Sequence, residues 1–215
     1  MSYLTLLGRL AATATLAASV LLSPLAIAQQ APAPSSYLTL GQAIPSDSIN
    51  KTEVLEFFAY SCPHCAVMEP LVEEWSQGFD AENVVLKRVP VAFNAGMGDL
   101  QRTYFVLESL ERLDLHPKLF AALHKEKRPL FDKKAIRKWA AENGITEADF
   151  DNAFDSFGVQ TKANRANDLI RLYQIQGTPS LAIAGKYVTS PAMTNGYSET
   201  INIADVLLKQ AAVAN

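Results

Sequence analysis

The chain has 215 residues, of which 49% are hydrophobic and 19% are charged, and its formal net charge at pH 7 is −3. A chain of this length and composition can bury a sizeable core as one domain, or as one domain that carries an insertion. The small excess of acidic residues argues against a nucleic-acid-binding protein and indicates no particular partner. The chain contains only two cysteines.

The N-terminal segment has the features of a secretory signal sequence. Arg9 is the only charged residue in residues 1–28, an apolar stretch follows it at 10–22, and an Ala-Ile-Ala cleavage pattern ends the segment. We therefore expect a mature chain that starts at Gln29, with a flexible tail rich in Pro, Ala and Ser over 29–36. An uncleaved membrane anchor is the alternative, although the apolar run is short for a membrane span.

The two cysteines lie at a predicted strand-to-helix junction. Residues 54–60 form a short apolar run rich in aromatic residues, which predicts a buried strand. Pro63 stands where a helix commonly begins. Between strand and helix the sequence reads Cys62-Pro63-His64-Cys65. Residues three apart on a helix share a face, so the two sulfurs could close a small disulfide ring.

This position favours a reactive thiol. Cys62 would face the unpaired N–H groups and the positive end of the helix dipole, with the His64 imidazole nearby, and both favour a thiolate. Stabilising the thiolate stabilises the reduced form, so that the disulfide tends to pass to another protein. In an exported protein, such a pair would work in an oxidising compartment.

Two other interpretations of the cysteine pair remain open. Half of a zinc site would need two more ligands, for which only His116 and His124 remain, because His64 is poorly placed to join the chelate. A structural disulfide would close a very small loop and gain little stability. A redox pair explains the spacing better, and we expect no metal and no cofactor.

A carboxylate within the cysteine-bearing strand is a second candidate for function. Glu56 is costly in such an apolar run unless it is paired or functional. A second strand is predicted over 84–89, and its first charged residue, Lys87, could lie beside Glu56. The two residues form either an ordinary cross-strand charge pair or a proton relay for Cys65.

The rest of the chain is predicted to be a helical region between β elements. A short edge strand is expected over 37–43, a hairpin after residue 177 with Gly185-Lys186 at its turn, and a closing helix over 201–212. His116 and His124 are expected to be surface or capping residues. The intervening helices are predicted over 99–113, 117–124, 132–142, from a capping box at 146–149 onward, and over 159–173.

This order of elements resembles the DsbA family of periplasmic thiol–disulfide oxidases over essentially the whole mature sequence. The resemblance implies an α/β protein, namely a thioredoxin fold with an inserted all-helical domain. The thioredoxin-like domain would comprise residues 37–93 and 168–215, and the inserted domain residues 94–167. The motifs that carry the resemblance are Val54-Leu55-Glu56-Phe57-Phe58, Cys62-Pro63-His64-Cys65 and Gly177-Thr178-Pro179.

The resemblance also implies roles for individual residues. The catalytic motif comprises the exposed nucleophile Cys62, then Pro63, then His64, which stabilises the reduced thiolate, and the buried partner Cys65. A second group of implied residues lies outside this motif. Thr178 and Pro179 form a substrate-binding loop with a cis-proline facing the disulfide. Many relatives have valine before this proline, at the position of Thr178. Glu56 and Lys87 match a buried charge pair.

The function implied by the resemblance is donation of the Cys62–Cys65 disulfide to newly exported, reduced cysteine-containing proteins in the periplasm. A membrane oxidase of the DsbB type would reoxidise the pair, and we expect a monomer that binds no nucleic acid. A periplasmic disulfide reductase, an isomerase and a non-enzymatic chaperone or adhesion-associated binder are the alternatives. An isomerase of the DsbC type would need an N-terminal dimerisation domain, for which 29–36 leaves no room.

Overall fold

A computed structural model describes residues 36–213 of the chain. The predicted signal sequence, its cleavage site and the tail up to residue 35 lie outside this range. None of the helices in this part of the chain combines the length and the apolar character that a membrane span requires.

Within the described part of the chain, the strands form one mixed sheet of five, in the order β1-β5-β4-β2-β3. β2, the strand before the cysteine motif, lies inside the sheet, where it pairs in parallel with β3 and antiparallel with β4. β1 pairs with β5 at one edge. The strands are β1 (Leu38–Thr39), β2 (Thr52–Phe58), β3 (Val84–Pro90), β4 (Ser180–Ile183) and β5 (Tyr187–Thr189).

Five helices lie between β3 and β4 in the chain, as the sequence predicts. Three of them begin at side-chain caps, because Asp132, Thr146 and Ser156 each accept a hydrogen bond from the backbone N–H three residues later. The seven α-helices of residues 36–213 are α1 (Pro63–Ser76), α2 (Gly98–Ser109), α3 (His116–His124), α4 (Lys133–Glu142), α5 (Glu147–Phe154), α6 (Phe157–Leu172) and α7 (Tyr197–Val213).

The sheet buries a different apolar cluster on each side, because successive strand residues point to opposite faces. Val54, Leu181 and Ile183 pack with residues of α1 and α7. Leu55 and Phe57 belong to the larger cluster, to which α2–α6 also contribute. The central strand is thus covered on both sides, and the cysteine motif at its end starts from a rigid support.

The hairpin is confirmed, but its turn is one residue earlier than the sequence suggests. Ile183 O accepts a hydrogen bond from Lys186 N, so that Ala184 and Gly185 are the central residues. Both have positive φ, 54° and 69° respectively, which is the geometry of a type I′ turn. Alanine rarely adopts positive φ, and the sequence therefore placed the turn at Gly185-Lys186.

Candidate active site

The cysteine motif stands at the N-terminus of α1. Cys62 is the N-cap residue with extended backbone, and Pro63 occupies the first helical turn, as expected. The carbonyl oxygen of Cys62 accepts hydrogen bonds from the N–H groups of Cys65 and Ala66, at 3.2 and 3.3 Å. Both cysteines are free thiols; Cys62 is half-buried and Cys65 is buried. The helix therefore places one sulfur at its mouth and the other one turn inside.

The environment of Cys62 favours the thiolate. Its pKa is lowered to about 5. The largest cause of the lowered pKa is a hydrogen bond with the Cys65 side chain, whereas partial burial acts in the opposite direction and raises the pKa. The Thr178 side chain and the backbone N–H groups of Cys65 and His64 lower it further. At pH 7 a thiol with this pKa is roughly 99% ionised, whereas an unperturbed thiol is ionised to only a few per cent.

Cys65 has the opposite environment. Burial raises the pKa of its thiol well above the ordinary value, and the hydrogen bond that it makes to Cys62 raises it further. Cys65 therefore holds its proton at every physiological pH while Cys62 loses its own. The pair consists of one thiolate and one thiol, and the two roles cannot be exchanged.

The loop before β4 lies against this pair. The Thr178–Pro179 peptide bond is cis, in agreement with the expectation. As a thiol, Cys62 donates a hydrogen bond to the Thr178 carbonyl oxygen, with sulfur and oxygen 3.3 Å apart. A groove of about 790 Å³ runs along the loop, and its lining includes His64, Thr178, Pro179, Val188, Met193 and Tyr197.

The backbone and the imidazole ring of His64 have different partners. The backbone N–H is among the groups that lower the pKa of Cys62. The exposed imidazole ring instead forms a hydrogen bond with Tyr197, with Nδ1 and the hydroxyl oxygen 2.6 Å apart. His64 is thus at the site as predicted, with a partner for its ring that sequence reasoning missed.

The predicted pairing of Glu56 with Lys87 is wrong. In the parallel register of β2 and β3, Lys87 lies opposite Leu55, so that it shares a face with Glu53. The Lys87 Nζ atom lies 2.6 Å from Glu53 Oε1. A proton relay from Glu56 through Lys87 therefore has no geometric basis.

Arg88 is the actual partner of Glu56, which it faces in the register. Its Nε lies 3.2 Å from Glu56 Oε2, and its Nη2 lies 2.7 Å from both Glu69 Oε1 and Glu73 Oε2. His116 Nε2 lies 3.2 Å from Glu69 Oε2 and extends the cluster to α3. One arginine thus forms ion pairs with three carboxylates in a largely buried cluster.

The cluster has more carboxylates than positive charges, and Glu56 is its most buried carboxyl group. Burial raises the pKa of Glu56 well above its usual range, and the nearby Glu69 charge raises it further. Although Arg88 Nε lies 3.2 Å from Oε2, neither oxygen of Glu56 makes a well-aligned hydrogen bond within residues 36–213, so its negative charge is poorly supported. For Glu69, burial is the largest influence and opposes ionisation, but the His116 and Arg88 side chains together outweigh it, so that the pKa of Glu69 is lowered.

The two histidines of α3 are not surface or capping residues, contrary to the prediction. His116 is buried, and its Nδ1 lies 2.6 Å from the Tyr60 hydroxyl oxygen. His124 is half-buried, and its Nε2 lies 2.7 Å from the Tyr60 carbonyl oxygen. With Phe120 between them, the three residues recur every four positions and therefore share one helix face. That spacing was a signal for a buried role.

Comparison with known proteins agrees with the fold and the site. The DSBA-like thioredoxin domain family matches residues 78–207. A protein named "Thiol:disulfide interchange protein DsbA" from Bordetella parapertussis is 49% identical over 208 residues, which cover 96% of this chain and 98% of that relative. A protein of the same name from Pseudomonas aeruginosa strain PAO1 is 31% identical over 203 residues, covering 94% and 96% of the two chains.

Solved structures show the same similarity. A crystal structure of Pseudomonas aeruginosa DsbA superimposes with a TM-score of 0.79 at 30% identity, over 83% of this chain and 93% of that chain. The oxidoreductase NmDsbA1 from N. meningitidis superimposes with a TM-score of 0.74 at 25% identity, over 86% of this chain and 98% of that chain. The chain therefore belongs to the DSBA-like thioredoxin domain family and has its α/β fold.

Proposed function

We propose that this chain is a thiol:disulfide oxidoreductase that donates a disulfide between Cys62 and Cys65 to reduced proteins. The observation that carries the proposal is the opposite shift in pKa of two thiols one helical turn apart. A cysteine that is stable as a thiolate makes the reduced state favourable, so the disulfide is a good oxidant. Relatives that match nearly the whole chain bear the name thiol:disulfide interchange protein.

The first step forms a mixed disulfide. A client thiolate attacks the sulfur of Cys62, a client–Cys62 bond forms, and the Cys62–Cys65 bond breaks. The electron pair remains on the Cys65 sulfur, which takes up a proton because its buried thiolate is unfavourable. The half-buried position of Cys62, against the fully buried one of Cys65, makes Cys62 the sulfur under attack.

The second step releases the oxidised client. A second client thiolate attacks the client sulfur of the mixed disulfide, a client disulfide forms, and Cys62 leaves as a thiolate. Two electrons pass from the client to the cysteine pair. Of the two client thiol protons, one remains on Cys65 and the other goes to water, because Cys62 has a pKa of about 5.

The loop at Thr178 and Pro179 is the proposed client-binding element. The Thr178 carbonyl group lies beside Cys62, and the adjoining groove extends over residues of β4, β5 and α7. An extended client segment could pair with the Thr178 backbone and present its cysteine to Cys62. Pro63 and the His64 backbone complete the proposed catalytic motif.

The proposal extends to compartment and partners. The signal-like segment at 1–28 and the naming of the relatives support export to the periplasm, with newly exported cysteine-containing proteins as clients. Reoxidation by a membrane oxidase of the DsbB type would close the cycle. The proposed working form is a monomer without cofactor.

Oxidative refolding tests the proposal. A reduced, unfolded protein with two cysteine pairs is incubated with catalytic amounts of this protein and oxidised glutathione, and the recovery of its activity is followed. We expect faster recovery than with glutathione alone, and no acceleration by Cys62→Ser. Acceleration only when the substrate starts with scrambled disulfides would favour an isomerase, and faster reduction of an intact disulfide protein would favour a reductase.

A further inference from the structure

Tyr197 makes a contact to the active site that neither the motif nor the proposed chemistry uses. It is the first residue of α7 and lies 133 positions after His64, yet its hydroxyl oxygen is 2.6 Å from His64 Nδ1. The two rings are tilted by 37° with centroids 6.2 Å apart, so they meet at their edges rather than stack. Both residues line the groove beside Thr178 and Pro179.

The start of α7 is held firmly. The buried Thr200 hydroxyl donates a hydrogen bond to the Gly196 carbonyl oxygen at 2.9 Å, and the Thr194 hydroxyl contacts the same oxygen at 3.0 Å. The two threonine hydroxyls also lie 2.8 Å from each other. Tyr197 follows Gly196 directly, so its ring stands on a fixed backbone, whereas His64 is an exposed side chain on the first turn of α1.

We propose that Tyr197 is a positioning residue: its hydroxyl holds the His64 imidazole on the groove side of the cysteine motif and limits the approach of the ring to Cys62. The bond can persist in both forms of the ring. A neutral Nδ1 accepts a hydrogen bond from the phenol, and a protonated Nδ1 donates one to the phenol oxygen. The hydrogen bond is therefore compatible with either protonation state of the ring.

The direction of the effect follows from competition for the ring. An imidazolium close to a thiolate stabilises it and hence stabilises the reduced form of the pair. While Nδ1 is bound to Tyr197, the ring cannot turn that atom toward the Cys62 sulfur. Removing the phenol hydroxyl frees the ring, so the reduced form should become more favourable and the disulfide more oxidising.

The inference rests on the proposed function of Cys62 and Cys65, and it is tested by Tyr197→Phe, which keeps the ring and its packing. The redox equilibrium of each variant with glutathione at pH 7 is the measurement. We expect an equilibrium constant shifted toward the reduced protein by between about 2- and 10-fold, the range of one hydrogen bond. In a His64→Ala background the same substitution should change nothing.

Tyr37→Phe is the matched control. Tyr37 is also half-buried, its ring packs edge-on against Tyr187, and its hydroxyl makes no hydrogen bond to another residue of 36–213. We expect its glutathione equilibrium to equal that of the wild type. Thermal unfolding of every variant establishes that each is folded before its equilibrium is compared.

Three results would overturn the role of Tyr197. They are an unchanged equilibrium in Tyr197→Phe, a shift toward the oxidised protein, and a shift of equal size in the His64→Ala background. Failure of the wild-type protein in oxidative refolding would instead overturn the proposed function. A wild-type protein that oxidises its substrate, with an equilibrium that Tyr197→Phe does not change, overturns the inference alone.

Discussion

At the scale of single residues, the two thiols differ in pKa because Cys62 lies partly exposed at the start of α1 and Cys65 is buried one turn further along the helix. Cys62 stands at the helix mouth, where a hydrogen bond from the Cys65 side chain favours its charge most, followed by the Thr178 side chain and backbone N–H groups. Cys65 is buried, and its thiolate has no comparable support. In the proposed mechanism, this asymmetry is enough to explain which sulfur is attacked, which one leaves and which one takes up the proton.

The lowered pKa of Cys62 makes the stability of the reduced protein depend on pH. A group whose pKa falls on folding stabilises the folded state fully above its unfolded pKa, and this contribution is lost as the pH falls to the folded pKa. For Cys62 these limits are about 8.5 and about 5. The free energy of unfolding of the dithiol form, relative to the disulfide form, should therefore fall as the pH is lowered across this window.

Denaturant unfolding of both redox forms at several pH values measures this difference. The disulfide form is the internal control, because it has no Cys62 thiol to titrate. A difference between the two forms that stays constant from pH 5 to pH 8 would contradict the assigned environment of Cys62.

Glu56 should weaken the fold at neutral pH. Its raised pKa means that ionisation is less favourable in the folded than in the unfolded state, so stability is lost as the pH rises above the unfolded value. Glu56→Gln keeps the shape of the protonated side chain, and Arg88 retains Glu69 and Glu73. We expect the free energy of unfolding at pH 7 to rise by about 1 kcal/mol.

Chemical denaturation at pH 7 and at about pH 4 tests the Glu56 prediction, because the gain should disappear where the carboxyl is protonated in both states. Glu73→Gln is the matched control, since Glu73 binds the same arginine from a side chain that is 53% exposed. We expect it to change stability by less than about 0.5 kcal/mol. A loss of stability in Glu56→Gln would show that the charge is needed.

The placement of the two cysteines and the cis bond before Pro179 could be predicted from the sequence, but the ion pairs of the site could not. The spacing of Cys62 and Cys65 and the position of Pro179 are local features or motif features. Whether Lys87 or Arg88 faces Glu56 depends on the register of two parallel strands, which a shift of one residue would reverse. The hydrogen bond between His64 and Tyr197 depends on where α7 begins in space, and no local pattern encodes this.

At the scale of elements, the turn between β4 and β5 also serves as a docking point for the N-terminal strand region. Gly185 O accepts a hydrogen bond from Ile44 N at 2.8 Å, and Lys186 O accepts one from Leu40 N at 2.8 Å. Residues 40–44 thus run beside the turn, although only Leu38–Thr39 is a strand. The prediction of a strand over 37–43 was too long because pairing with a turn does not continue a ladder.

Gly185→Ala should destabilise the protein by more than about 2 kcal/mol. The residue has a φ of +69°, and a Cβ there would lie 2.1 Å from the Ile44 carbonyl oxygen, a backbone atom that cannot move by itself. Urea unfolding measures the effect. Gly41→Ala is the control, because a Cβ at Gly41 meets no atom within 4 Å. Equal stability of the two variants would contradict the close approach.

At the scale of the molecule, the helices between β3 and β4 are attached to the active-site segment by α3. Both ends of this helix hold Tyr60, the residue two before Cys62, through His116 at its hydroxyl and His124 at its carbonyl oxygen. The assignment of residues 94–167 to an inserted domain remains a prediction. α6 runs through residue 167 without a break, so the predicted boundary falls within a helix.

The hydrogen bond between Tyr60 and His116 should couple the helical region to the active-site loop energetically. Tyr60→Phe leaves the buried Nδ1 of His116 without its partner, and we expect a loss of about 1–2 kcal/mol in the free energy of unfolding. In a double-mutant cycle with His116→Phe, the coupling energy should be about 1 kcal/mol or more. Tyr104→Phe is the control, because the hydroxyl of this buried tyrosine makes no hydrogen bond to another residue of 36–213. Additive effects of the two substitutions would mean that the Tyr60–His116 hydrogen bond contributes no coupling, and that α3 is held here by the packing of His116 against Phe58 and Phe120 and by the bond from His124 to the Tyr60 carbonyl oxygen.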